Sequence, residues 1–138
     1  MNNKYKIIKM KFNKKNIYHY LIFANYSFLF LLAYIISKFK NKKNQTIFLM
    51  GHSFQGNLES FYYLNKLDYK IKYLTFNKKL ALSNSYFYSY LKFQNILEML
   101  NSKLIIASHG ILFHGLVKKR GVKTINIGHG VQTSIVNL

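Results

Sequence analysis

Five histidines carry whatever acid–base chemistry this chain can perform near neutral pH, and three of them stand beside glycine: Gly51-His52-Ser53, Ser108-His109-Gly110 and Gly128-His129-Gly130. An imidazole can take a proton from a hydroxyl at physiological pH, and an adjacent glycine lets the backbone turn tightly with its N–H groups exposed. Other chemistries lack their residues. There is no Cys, which excludes disulfides, a thiolate zinc site and a cysteine nucleophile. The acids are Glu59, Asp68 and Glu98, too few for a paired-carboxylate glycosidase or an acidic calcium loop. His109 and His114 are five apart without a carboxylate nearby in sequence, so neither a metal nor another cofactor is expected. The plain alternative for each Gly-His pair is a hydrogen-bonded turn.

A second candidate is the stretch Gly51-His52-Ser53-Phe54-Gln55-Gly56-Asn57. A glycine turn opening a helix presents N–H groups and the positive helix end to a phosphate, which makes Ser53, Gly56 and Asn57 candidate substrate contacts. The stretch matches neither G-x-G-x-x-G nor G-x-x-x-x-G-K-[ST], because Asn57 follows Gly56 where the P-loop has Lys. An ordinary strand-to-helix turn would look the same.

The elements that must position these residues are readable from residue 46 onward. Thr46 to Met50 is a continuous apolar run ending in Gly51, the form of a buried parallel strand. Asn57 can cap a helix to about Leu67 with Leu58, Phe61, Tyr62 and Leu64 inward. Strands are predicted over Ile71 to Phe76, Lys103 to Ala107 and Val122 to Ile127, and helices over Leu91 to Leu100 and Leu112 to Lys119. Four strands alternating with three helices predict an α/β class, a Rossmann-like parallel sheet preceded by a hydrophobic helix. In such sheets ligands bind beyond the carboxyl ends of the strands, where the three Gly-His pairs fall.

The charge is lopsided. Twenty-one basic residues against three acids give +18 over 138 residues. Lysines neutralising phosphates would suit nucleic acid, but Arg120 is the one arginine, and nucleic-acid readers favour the bidentate guanidinium. Lys, Asn, Ile, Tyr and Phe also share A/T-rich codons, which explains much of the excess without any partner. The arrangement says more. Ten lysines lie in residues 1–45 and bracket Ile17 to Ser37, a run without formal charge. A helix of that length spans about 31 Å, the thickness of a bilayer's hydrocarbon core. Residues 1–45 are therefore expected to be a basic segment with a membrane-associating helix (17–37) and a linker hinged near Asn41 to Asn44, with an anionic membrane surface as partner. A buried core helix and a signal peptide are the rivals, although no small-residue cleavage site follows Ser37.

Two stretches carry a family resemblance. Leu104-Ile105-Ile106-Ala107-Ser108-His109-Gly110, then Lys118-Lys119-Arg120-Gly121-Val122-Lys123-Thr124-Ile125-Asn126-Ile127-Gly128-His129-Gly130, resemble the CDP-glycerol glycerophosphotransferases of teichoic-acid-type polymer synthesis. Phe48 to Tyr73 is similar to that family's first βαβ unit, with its S-F-x-G-N turn. The resemblance implies the N-terminal half of a GT-B architecture over about residues 46–134, so that 46–138 would be an incomplete domain whose CDP-glycerol-type donor is held by a further, C-terminal half.

It also implies His129 as general base toward an acceptor hydroxyl, with His109, Gly110 and Gly130 shaping the acceptor site for a polyol-phosphate or glycan-lipid. Two departures stand out: Gly128 where the family has Trp, and Val131-Gln132-Thr133-Ser134 where it has Pro and Lys. A CDP-linked donor implies the cytoplasmic face of the membrane. A simple span would then put six N-terminal lysines outside, against the positive-inside tendency, so an in-plane helix, a partly inserted one or one packed on the domain is expected instead. The alternative from another class is a non-catalytic membrane-anchored interaction domain, and nucleic-acid binding ranks third.

Overall fold

In the computed structural model, residues 14–40, 43–51 and 54–128 are described. They form α1 (Lys14–Ser37), β1 (Ile47–Met50), α2 (Asn57–Asn65), β2 (Ile71–Thr75), α3 (Lys78–Ser83), β3 (Phe87–Ser89), α4 (Phe93–Leu100), β4 (Leu104–Ala107), α5 (His114–Lys119) and β5 (Lys123–Asn126). The five strands make one parallel sheet in the order β3-β2-β1-β4-β5. The fold is α/β with an apolar helix ahead of the sheet, as the alternation of strands and helices predicts.

Successive strand residues face opposite sides, so each central strand feeds two cores. Phe48, Met50, Leu74, Ile105 and Ala107 join the core that α1, α4 and α5 cover, with Tyr26, Ile96 and Val117. Ile47, Leu49, Ile71, Tyr73 and Ile106 join the other, against Leu58 of α2 and Leu80 of α3. Burial on both faces is why β1 reads as an unbroken apolar run.

The structure corrects the predicted elements in three places. It has a fifth strand and a further helix, α3 and β3, between β2 and α4. Asn77 caps α3 by accepting from the Lys79 and Leu80 amides at 3.0 and 3.3 Å, and β3 is a three-residue edge strand too short to show alternation. Asn57 is not the cap of α2. Gly56 holds that position at φ 62°, ψ −126°, a conformation only glycine adopts freely, and Asn57 is the first helical residue. Leu64 is exposed, not inward, because six residues from Leu58 lies some 240° round a helix.

α1 packs along α4 and the sheet through Tyr26, Phe30, Ala33 and Ser37, all fully buried and spaced 4-3-4. Its exit is fastened as well. Nη2 of the Arg120 guanidinium donates to the Lys40 carbonyl and to Asn101 Oδ1, both at 3.2 Å. The Lys43 ammonium donates to the carbonyls of Arg120 and Leu100, and Asn44 donates its backbone N–H to the Asn101 carbonyl and its Nδ2 to the Glu98 carbonyl. Burial and the Arg120 charge together hold the Lys43 pKa below the usual lysine value.

Glu98 of α4 is the acid that anchors the amino edge of the sheet. It pairs with Lys72 at 2.5 Å and with Lys70 at 3.5 Å. Lys72 is 11% exposed and lies over the Tyr88 ring, whereas Lys70 is 65% exposed and contributes little. Glu98→Ala strands the Lys72 charge in a largely dry site, and is expected to cost about 2 kcal/mol in urea unfolding, with Lys70→Ala within about 0.5 kcal/mol of wild type.

Candidate functional site

From β1 the chain steps outward through β2 and β3, then returns to the opposite side of β1 for β4 and β5. The order reverses between β1 and β4, and a parallel sheet opens a crevice beyond the carboxyl ends at that point. A cavity of about 390 Å³ lies there, within the range that small-ligand sites occupy. Its polar rim is Gly51, His109 and Gly110, and Phe76, Tyr90 and Leu112 form an apolar wall.

The loops around the crevice are tied to one another through the backbone. The Ser108 amide donates to the Met50 carbonyl at 3.0 Å and the Ile127 amide to the Ala107 carbonyl at 2.9 Å, carrying the strand register into the loops. The Tyr73 hydroxyl donates to the Gly51 carbonyl at 2.8 Å. That bond fixes the turn after β1 from below. Burial pushes the Tyr73 phenol up to about 12 and raises that of Tyr90, also in the wall, well above its usual value.

His109 is half-buried, and its Nδ1 lies 2.8 Å from Ser108 Oγ. If Nδ1 carries the proton and donates to the serine oxygen, Nε2 is an acceptor. With the serine donating instead, Nε2 carries the proton and is a donor. Either state suits a hydroxyl or phosphate ligand.

Of the residues singled out in the sequence, His109 and Gly110 line the crevice. Gly56 makes the turn into α2, and Asn57 Nδ2 donates to the Ile127 carbonyl at 3.4 Å, joining that turn to the end of β5. Gly128 turns the chain at φ 67° and its amide donates to Asn126 Oδ1 at 2.9 Å. His129, Gly130 and Ser53, with His52, lie outside the described residues. The strands that carry the three Gly-His pairs are nonetheless consecutive in the sheet, β1-β4-β5, and parallel, so all three chain segments leave the sheet at one edge. His114 is set apart: its Nε2 lies 2.9 Å from Thr124 Oγ1, a tie between α5 and β5. Among the described residues no three His, Asp or Glu side chains converge as a metal site would require.

Sequence reasoning missed Phe113. It stands at φ 55°, ψ 35°, the one non-glycine residue at positive φ among those described, at the end of the loop that carries His109 and Gly110. Left-handed backbone costs a bulky residue about 1–2 kcal/mol. Stacking offsets this, since the ring lies 4.7 Å from Phe30, 6.1 Å from Tyr26 and 6.3 Å from Phe23, all on α1. Helix α1 therefore clamps the loop that forms one side of the crevice. No pattern in the sequence signals a Phe in that conformation.

Comparison with protein-family models, with characterised proteins and with solved structures found no match for this chain.

Proposed function

We propose that this chain is the acceptor-binding part of a CDP-glycerol glycerophosphotransferase-like enzyme, the N-terminal half of a GT-B arrangement, acting in cell-envelope polymer synthesis. The reading is carried by the crevice at the β1/β4 reversal, with an imidazole and two glycines on its rim. The sequence motifs at the ends of β4 and β5 support it, because they fall at the carboxyl edge where a transferase of this architecture meets its substrates.

In this reading His129 removes the proton from an acceptor hydroxyl as its oxygen attacks the β-phosphorus of CDP-glycerol. The new P–O bond forms as the bond to the bridging oxygen breaks, and CMP leaves with that electron pair. His109 hydrogen-bonds the acceptor at the rim, Gly110 and Gly130 leave room for it, and the turn with Ser53, Gly56 and Asn57 contacts its phosphate. The CDP group belongs to a second, donor-binding domain.

The chain by itself tests the acceptor half of this reading. Glycerol 3-phosphate is expected to shift the amide resonances of Gly51 and Gly110 in a nitrogen–proton correlation spectrum, and His109→Ala to weaken that binding about tenfold. CMP is expected to leave both resonances in place. Shifts with CMP at these glycines, or none with glycerol 3-phosphate, would overturn the assignment. With a donor-binding half supplied in trans, His129→Ala is expected to slow CMP release by about 10²- to 10⁴-fold. Release at the wild-type rate removes His129 from the role of base.

A further inference from the structure

α1 has two apolar faces, and the domain uses one of them. Opposite the buried stripe of Tyr26, Phe30, Ala33 and Ser37 stand Leu21, Phe28, Leu31, Leu32 and Ile35, each exposed, with Leu21 and Phe28 above 60%. A helix on the surface of a soluble domain turns a polar face outward, and this one does not. A contiguous apolar strip of that length marks a surface that something covers.

Charge indicates the occupant. The strip carries no formal charge from Asn16 to Ser37, yet Lys14 and Lys15 precede it in the chain, Lys38 and Lys40 follow, and the first acid after Met1 is Glu59. Lysines at both ends of an apolar face, with tyrosines Tyr18 and Tyr20 at one end, are what the interface of an anionic bilayer attracts. Crossing the bilayer would expose the inward stripe to lipid and uncover α4, whereas a helix lying in the plane of the membrane keeps its seat on the sheet.

We propose that α1 docks this domain on an anionic bilayer through Leu21, Phe28, Leu31, Leu32 and Ile35 while its opposite stripe stays packed on the sheet. The same helix lines an open surface cavity beside the crevice. Ile22 and Phe23 line a cavity of about 670 Å³ that shares Phe76 and Leu112 with the crevice.

The test is flotation of the full chain with phosphatidylcholine vesicles, with and without about one third phosphatidylglycerol. Anionic vesicles are expected to bind it about a hundredfold more tightly than neutral ones. The variant Leu21→Ser/Phe28→Ser/Leu32→Ser is expected to bind anionic vesicles at least about a hundredfold more weakly, with its thermal unfolding in the absence of lipid little changed. A Phe28→Trp variant should show tryptophan quenching by lipids brominated near the headgroup, and a Phe30→Trp variant, if folded, should not. Equal quenching at both positions means a span, and overturns the in-plane pose. Unchanged binding of the triple variant overturns the surface. A lipid-free dimer that the triple variant abolishes, without vesicle binding by the wild type, assigns the face to a second copy and overturns the bilayer. None of these readouts involves CDP-glycerol or His109, so the membrane surface and the transferase reading fail separately.

Discussion

Phe30→Ala is expected to destabilise the protein by about 4 kcal/mol, much of what a domain of this size has to spare. The ring is fully buried, stacks on Phe113 at 4.7 Å and meets Tyr26 at 5.9 Å. Its removal leaves a cavity between α1 and the sheet and takes away the contact that offsets the left-handed backbone of Phe113. The loop from Gly110 to Phe113 should therefore loosen before the sheet does. Urea unfolding gives the free energy, and hydrogen exchange is expected to show lost protection in that loop and in α1, with β1 and β4 still protected. Phe28→Ala, two residues away on the exposed face, is the control and should change stability in lipid-free solution by less than about 0.5 kcal/mol. Equal effects at the two positions would mean that α1 is not seated as described.

The second large effect is alkaline unfolding. Tyr26 and Tyr90 are buried together, ring against ring at 5.3 Å, with Phe76 against both. Burial raises both phenols above their ordinary value near 10, and for Tyr90 the neighbouring phenols add to the rise. A raised pKa means that the folded state holds protons the unfolded chain has released. Stability is thus complete below about pH 10 and falls as pH rises further, by about 1.4 kcal/mol per pH unit for each such tyrosine and about 3 for the pair. Tyr73, raised to about 12, adds to the loss over the first two units. Lys43 acts in the opposite sense, since its lowered value favours the fold as pH rises, but it is one partly exposed group. The expected result is cooperative unfolding between pH 10 and about pH 12, in which the last of the phenolate absorbance, from the buried tyrosines, appears together with the loss of circular dichroism. Tyr90→Phe should flatten the dependence by about a third to a half. A chain that stays folded while all twelve of its tyrosines ionise would show that these hydroxyls reach water.

Much of the architecture is legible in the residues. Thr46 to Met50, Ile71 to Phe76 and Lys103 to Ala107 are apolar enough to be buried on both faces, and each ends near a residue that turns the chain. The edge is where reading fails: Phe87 to Ser89 is too short for a period, and its neighbour β2 supplies the order. Asn57 looked like a cap because Asn caps helices, yet Gly56 could take the turn at positive φ, which left the Asn side chain to reach Ile127. The apolar run of α1 is plain, but its inward stripe is hidden, because Tyr26 and Phe30 have apolar neighbours all round the helix. At the site, the Gly-His pairs stand out by composition. The Tyr73 hydroxyl beneath Gly51 and the clamp on Phe113 depend on which elements meet, and no local pattern encodes that.

The order of α1 and α4 along the chain also bears on how the protein is made. The helix that covers this face of the sheet leaves the ribosome before the strands, and its main partner, α4, follows about 55 residues later. At ~5–20 residues per second that interval is roughly 3–11 s, during which the face of α1 that α4 covers stays open. On that schedule α1 is complete before the sheet, and the strands assemble against a helix already in place.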